Sequence, residues 1–230
     1  SEGTGEEDVL VLRTDAEGRL VWQRTYGGHR SETGNGLCPS GDGGYYLSAS
    51  TGTFGGGNSD LWLLRLDAAG DTLWTRAYGP RGRRGYGFDW GNGMAAADDG
   101  GVLIFGYTDS VDIMDGWAVR VGTDGDTLWT RTVGRAPFYD YITAAVPDGR
   151  GGFGLAVVTK DPVPNPAVYD NDIMLVHLER DGTLQEQSRL VSPGNQWAAA
   201  LRYGPRGPIV YGQTRVGDRP VLFRSEPPFP

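Results

Sequence analysis

Short runs of alternating apolar and polar residues recur along this chain, each closed by a turn rich in glycine and aspartate, and no segment shows helical spacing. The clearest stretch sets Leu61–Leu66, the turn Asp67-Ala-Ala-Gly70 and Thr72–Tyr78 in a row. After a longer connection come Asn92–Ala97, the turn Asp98-Asp-Gly-Gly101 and Val102–Thr108. The same order stands before it as Val9–Arg13, Leu20–Tyr26, Gly34–Pro39 and Tyr45–Ser50. It follows again as Trp117–Val121, Thr127–Thr132, Ile142–Val146 and Phe153–Thr159. Gly18, Gly70, Gly125 and Gly182 hold one position of the repeated hairpin, where a positive φ is expected.

The pattern is thus periodic on a second scale, with units of roughly 50–57 residues built from four short strands. It predicts an all-β chain folded as a β-propeller of four-stranded antiparallel blades. A β-sandwich is the other reading of so many short strands, but it gives no reason for a repeated four-strand unit. Small apolar runs such as Gly93-Met-Ala-Ala-Ala97 suit the crowded innermost strand, A, with B, C and D following outward. In this phase the chain opens on a C–D hairpin and runs through three complete blades. It ends on A, B and C at Gln196–Arg202, Ile209–Thr214 and Arg219–Arg224. Four blades, closed by the N- and C-terminal strands sharing one sheet, form the expected ring. Seventeen runs stand where such a ring needs sixteen, so a piece of a longer array remains the alternative. Residues 8–225 are read as one propeller domain, between a polar leader over 1–7 and a proline-rich tail over 226–230.

The line Asp-x-Trp-Leu-x-Arg-Leu-Asp-x-x-Gly-x-x-x-Trp-x-Arg-x-Tyr-Gly runs from Asp60 to Gly79 and recurs with changes from Asp8, Asp115 and Asp172. With Asp42-Gly-Gly-Tyr45 and Asp99-Gly-Gly-Val102, it resembles the repeats of bacterial secreted β-propeller proteins in the broad quinoprotein-like group. The resemblance covers nearly the whole chain. It implies a propeller in an exported or surface-attached bacterial protein and supplies no catalytic residues. The calcium-linked cofactor pocket of quinoprotein enzymes has no counterpart among these residues. The spacing Asp67-x-x-Gly70-x-Thr72-x-Trp74 also departs by one on each side from the sialidase Asp-box, so neither activity carries over.

Composition narrows the partners. A net charge of -8 argues against nucleic acid and anionic membrane surfaces. Lys160 is the only lysine, a usage that fits either a GC-rich genome or a salt-adapted surface. Cys38 stands alone, which excludes a disulfide framework and a thiolate metal site. No run approaches the ~18 apolar residues of a membrane-spanning helix, and no transmembrane segment is expected. The polar opening Ser1–Glu7 reads as a linker. The expected location is secreted or extracytoplasmic, in the periplasm or at a bacterial cell surface.

Residues that recur among the copies read as scaffold: Trp22, Trp74 and Trp129 as packing between blades, Asp8, Asp60, Asp115 and Asp172 as strand-start caps, and Arg13, Arg65 and Arg120 as pairing with those aspartates or with neighbouring blades. Function is expected where the copies differ, in the long D–A loops around the channel mouth. The candidate ligand-binding residues there are His29, Arg30 and Glu32; Tyr86, Asp89 and Trp90; Tyr139 and Asp140; and Asn195, Gln196 and Trp197. Their aromatics can stack on a flat or sugar-like ligand while neighbouring polar groups bond its edge, or they can plug the mouth. Three functions follow: a non-catalytic binding scaffold for a small molecule, saccharide or protein, a saccharide-acting hydrolase or lyase using Asp89 and Asp140, or a purely structural repeat. No cofactor is expected, since no phosphate loop, nucleophile elbow or His-Glu-x-x-His is present. No metal is expected either, because Asp109, Asp112 and Asp115, or Asp170 and Asp172, do not match a calcium loop. An unpaired C-type strand offers an edge to a second chain.

Overall fold

A computed structural model describes residues 5–79, 87–109, 114–134, 139–161, 170–190, 195–204, 207–216 and 219–225. Within them lie seventeen β-strands and no helix. β1 (Val9–Thr14) and β2 (Leu20–Tyr26) make a two-stranded first sheet. The second sheet runs β3 (Glu32–Pro39), β4 (Tyr45–Thr51), β5 (Asp60–Leu66), β6 (Thr72–Tyr78). The third runs β7 (Asp89–Ala96), β8 (Val102–Thr108), β9 (Asp115–Val121), β10 (Thr127–Val133). The fourth runs β11 (Tyr139–Pro147), β12 (Phe153–Asp161), β13 (Asp170–Leu178), β14 (Leu184–Leu190). The fifth has three strands, β15 (Asn195–Gly204), β16 (Gly207–Val216) and β17 (Arg219–Ser225). Every pairing within these sheets is antiparallel.

Both C-type strands, β1 and β17, are formed, each in its own sheet, which accounts for the seventeenth strand. The sharing of one sheet by the first and last strands, expected for closure, is not formed among the described residues. A second departure concerns where the inner strands begin. β3, β7, β11 and β15 all start earlier than the expected runs. Each carries a register shift at the same place, Gly34/Gly36, Gly91/Gly93, Ile142/Ala144 and Ala198/Ala200. One extra residue breaks the two-residue alternation, so the ladder residues ahead of the bulge read as loop.

Hydrophobic cores lie between consecutive sheets. Leu61 and Leu63 of the second sheet pack with Val102, Ile104 and Val119 of the third. The alternate residues Trp62, Leu64 and Leu66 turn back onto Val9, Val11 and Tyr26 of the first. Leu103, Phe105 and Ala118 meet Phe153, Leu155 and Val176, and Ile173 and Leu175 meet Ala198, Leu201 and Val210. A strand covered on both faces loses the polar half of its alternation, which is why β5 reads Leu-Trp-Leu-Leu and is buried throughout. Each such leucine contributes roughly 2 kcal/mol by removal from water. Among the described residues the first sheet is covered on one face only. Leu10 and Leu12, at the register of buried Trp62 and Leu64, are 54% and 56% exposed.

Outer strands latch onto the next sheet's hairpin turn. Trp22 donates its indole N–H to the Ala68 carbonyl at 3.1 Å, and the Tyr26 hydroxyl donates to the Gly70 carbonyl at 2.5 Å. One unit later the Tyr78 hydroxyl donates to the Gly125 carbonyl at 2.7 Å, and then Trp129 donates to the Arg180 carbonyl at 2.8 Å. Gly70, Gly125 and Gly182 take φ of 82°, 86° and 79°, as the hairpin position requires, and their bare Cα faces the ring of the preceding tryptophan. Of the recurrent arginines, only Arg13 takes one of the two expected pairings, with the neighbouring sheet. Arg65 and Arg120 reach Asp42 and Asp99 on the A–B turns, not the strand-start aspartates, and Arg13 reaches the Ala68 carbonyl. His177 takes the same register, its Nε2 lying 2.9 Å from Asp148 Oδ2.

Candidate functional site

The first ladder residues of the inner strands alternate sharply. Glu32, Asp89, Asp140 and Gln196 are buried, whereas Trp90, Tyr139 and Trp197 stand partly in solvent, at 36%, 46% and 37% exposure. The candidate residues therefore split into an aromatic rim and a row of buried polar groups. Phe88, 48% exposed beside Asp89, belongs to the rim and was missed by the sequence reading, although it shares the register of Tyr139. Tyr141 belongs there too, half-buried, and burial raises its pKa. The Lys160 ammonium sits 5.6 Å from the centre of the Tyr139 ring. His29 and Arg30 are exposed on the bend before β3, where the Arg30 N–H is held by the Thr53 hydroxyl at 2.9 Å. Tyr86 lies outside the described residues.

The buried row is set by backbone bonds between sheets. The N–H groups of Glu32, Asp89 and Asp140 donate to the carbonyls of Glu7, Ser59 and Met114 at 2.8, 2.9 and 2.8 Å. Each carbonyl immediately precedes a strand-start aspartate, so Asp8 meets Glu32, Asp60 meets Asp89, and Asp115 meets Asp140 across successive junctions. Both carboxyls of each pair converge over the glycine that ends the outer strand. A Cβ on Gly134 would lie 2.6 Å from Asp115 Oδ1 and 2.6 Å from Asp140 Oδ2. In the fourth junction the pair is Asp172 and Gln196, and the Asn171 N–H donates to Asn195 Oδ1 at 3.1 Å.

This placement changes the roles assigned from sequence. Glu32 accepts the N–H groups of Gly28 and Thr53 at 2.8 and 3.2 Å and the Thr51 hydroxyl at 2.8 Å, which makes it an anchor for the bend. Asp89 and Asp140 sit in different junctions, each beside its own aspartate, and neither presents a carboxylate to a shared opening. The acid–base pair expected of a saccharide-acting enzyme is thus not assembled from these two residues.

Burial pushes Asp89 up to about 7, reinforced by the charges of Asp60 and Asp109 and opposed by the Thr108 hydroxyl. Burial also raises Asp60 and Asp115. A carboxyl whose folded pKa lies above its unfolded value destabilises the fold when ionised, so stability is gained as pH falls through about 7. Without divalent cations, the wild-type melting temperature should rise from ~pH 8 to ~pH 5, and Asp89→Asn should flatten that rise. A melting temperature that fell over this window would contradict the assignment.

No family model matches the chain, and no curated protein is significantly similar to it.

Proposed function

We propose that the chain is a non-catalytic, exported bacterial β-propeller scaffold, its sheets serving as blades, that binds a sugar-like or flat ligand through the aromatic rim. One observation carries the reading: Trp90, Tyr139 and Trp197 are partly exposed at the same end of three successive inner strands. The first inner strand has Ser31 and Thr33 at those registers, so the aromatics are not demanded by the fold. Exposed rings beside polar neighbours suit the apolar face of a saccharide. The cores between sheets and the repeated latches support the propeller geometry, as does the line shared with secreted propeller repeats. The exposed Leu10–Leu12 face reads as the seat of a further sheet of the same kind, and a clean monomer in light scattering would rule out a second copy as its source.

The test is a glycan array followed by titration, using tryptophan fluorescence, of the best-bound saccharide. Trp90→Ala and Trp197→Ala should each weaken binding at least ~10-fold while costing no more than ~1 kcal/mol of stability. Losses typical of a core residue, or binding that survives both changes, would sink the proposal.

A further inference from the structure

We propose that the junction bounded by Asp60 and Asp89 binds a hard divalent cation of the calcium class. This site is independent of the aromatic rim, and it departs from the expectation that the chain has no metal centre.

The junctions are near-copies, so they compare as variants of one site. In the first, Glu32 disperses its charge into two N–H donors and a hydroxyl. In the fourth, Asp172 pairs with Arg189, which stands at the register of Thr25, Ala77 and Thr132, and the second acid has become Gln196. In the second junction the Gly57 and Gly56 N–H groups act on Asp60, but no arginine pairs with it and no donor is bonded to Asp89 Oδ1 among the described residues. Asp60 Oδ2 accepts the Gly57 N–H at 3.1 Å, while its Oδ1 turns into the space over Gly79. Asp89 Oδ2 faces the same space, 3.0 Å from where a Gly79 Cβ would be. Proline follows Gly79 where Gly28 follows Gly27, and proline has no N–H to give.

A second observation points to a ligand. Asp89 is 2% exposed, and its Oδ1 has no hydrogen-bond partner among the described residues. Thr108, 1% exposed, turns its hydroxyl toward the same carboxyl without the geometry of a formed hydrogen bond. The other charges acting on Asp89, those of Asp60 and Asp109, are both negative. Two converging carboxyls, one with a buried oxygen that no donor reaches, call for positive charge.

The chemistry of the donors selects the cation. Carboxylate, hydroxyl and main-chain oxygens are the ligands of Ca²⁺, and imidazole or thiolate donors that favour softer metals do not flank this pair in the sequence. No three His, Cys, Asp or Glu side chains assemble among the described residues, so neutral oxygens and water complete the shell. A cavity of about 420 Å³ between β6 and the outer strands of the third sheet is lined by Ala77, Tyr78, Gly79, Thr108, Trp117 and Thr132. Gly79 and Thr108, which flank the carboxyl pair, are among its walls.

The test uses the intact chain at ~pH 7.5, titrated with CaCl₂ and followed by thermal melting, and with Tb³⁺ followed by luminescence sensitised by the neighbouring indoles. At about tenfold its dissociation constant, Ca²⁺ should raise the melting temperature by ~4 °C. Mg²⁺ should do less, and Tb³⁺ emission should saturate. Asp60→Asn and Asp89→Asn should each abolish both effects, with circular dichroism checking that the variants fold. If one variant fails to fold, the other and the wild-type titration still decide. A melting temperature indifferent to Ca²⁺ but raised by acid would mean that a shared proton neutralises the pair. Emission undiminished in both variants would put the ion elsewhere. Either result overturns the proposal.

Discussion

Replacing Trp129 with alanine should lower stability by ~3 kcal/mol, while Leu128→Ala should change it by less than ~0.5 kcal/mol. The residues are adjacent in β10, and hydrophobicity alone would rank them close together. Leu128 is 57% exposed, whereas Trp129 packs against the core between the third and fourth sheets. Its indole N–H bonds the Arg180 carbonyl at 2.8 Å, and its ring covers Gly182, where a Cβ would come within 2.7 Å. The loss combines packing area with a hydrogen bond whose carbonyl then returns to water. Urea unfolding of the two variants beside wild type measures it. Equal losses at the two positions would mean that the latch is not what holds the third sheet to the fourth.

The latch was legible in the sequence because its parts recur. Trp22, Trp74 and Trp129 keep one distance from a hairpin glycine, and repetition marks them as scaffold before any coordinate is known. The strands were legible for the same reason, through their two-residue alternation and the glycines between them. The inner strands resisted, because a bulge at the same point in β3, β7, β11 and β15 shifts the alternation by one residue. Asp89 and Asp140 therefore looked like loop groups open to a ligand, although they are buried ladder residues. Their partners Asp60 and Asp115 come from the preceding sheet, and strand pattern alone does not say which face of a neighbour a side chain meets. The aromatic half of the candidate site was readable, since Trp90, Tyr139 and Trp197 break the repeat and the repeat gives them no packing duty.

Gly134→Ala should cost about 3 kcal/mol, although this glycine lies on the surface. Its Cα is where the Asp115 and Asp140 carboxyls converge, and a methyl group there would lie 2.6 Å from an oxygen of each. Asp140 is fully buried and its backbone is pinned to the Met114 carbonyl, so it has little room to retreat. Gly56→Ala is the control, since a Cβ there would meet nothing within 4 Å, and its effect should stay within ~0.5 kcal/mol. Thermal melts of the two variants give the comparison. A Gly134→Ala protein as stable as Gly56→Ala would show that the junction opens freely, and the convergence of carboxyls would then not be a constraint on the fold.

Repeated residues thus hold sheets together, and residues that break the repeat at the ends of the inner strands are free to recognise a ligand. The most direct test is thermal unfolding of the Trp90→Ala/Trp197→Ala double variant beside Trp129→Ala. The double variant should melt no more than ~4 °C below wild type, and Trp129→Ala should melt ~8 °C lower. A double variant that melts as low as Trp129→Ala would make the rim part of the packing and contradict the division between scaffold and site.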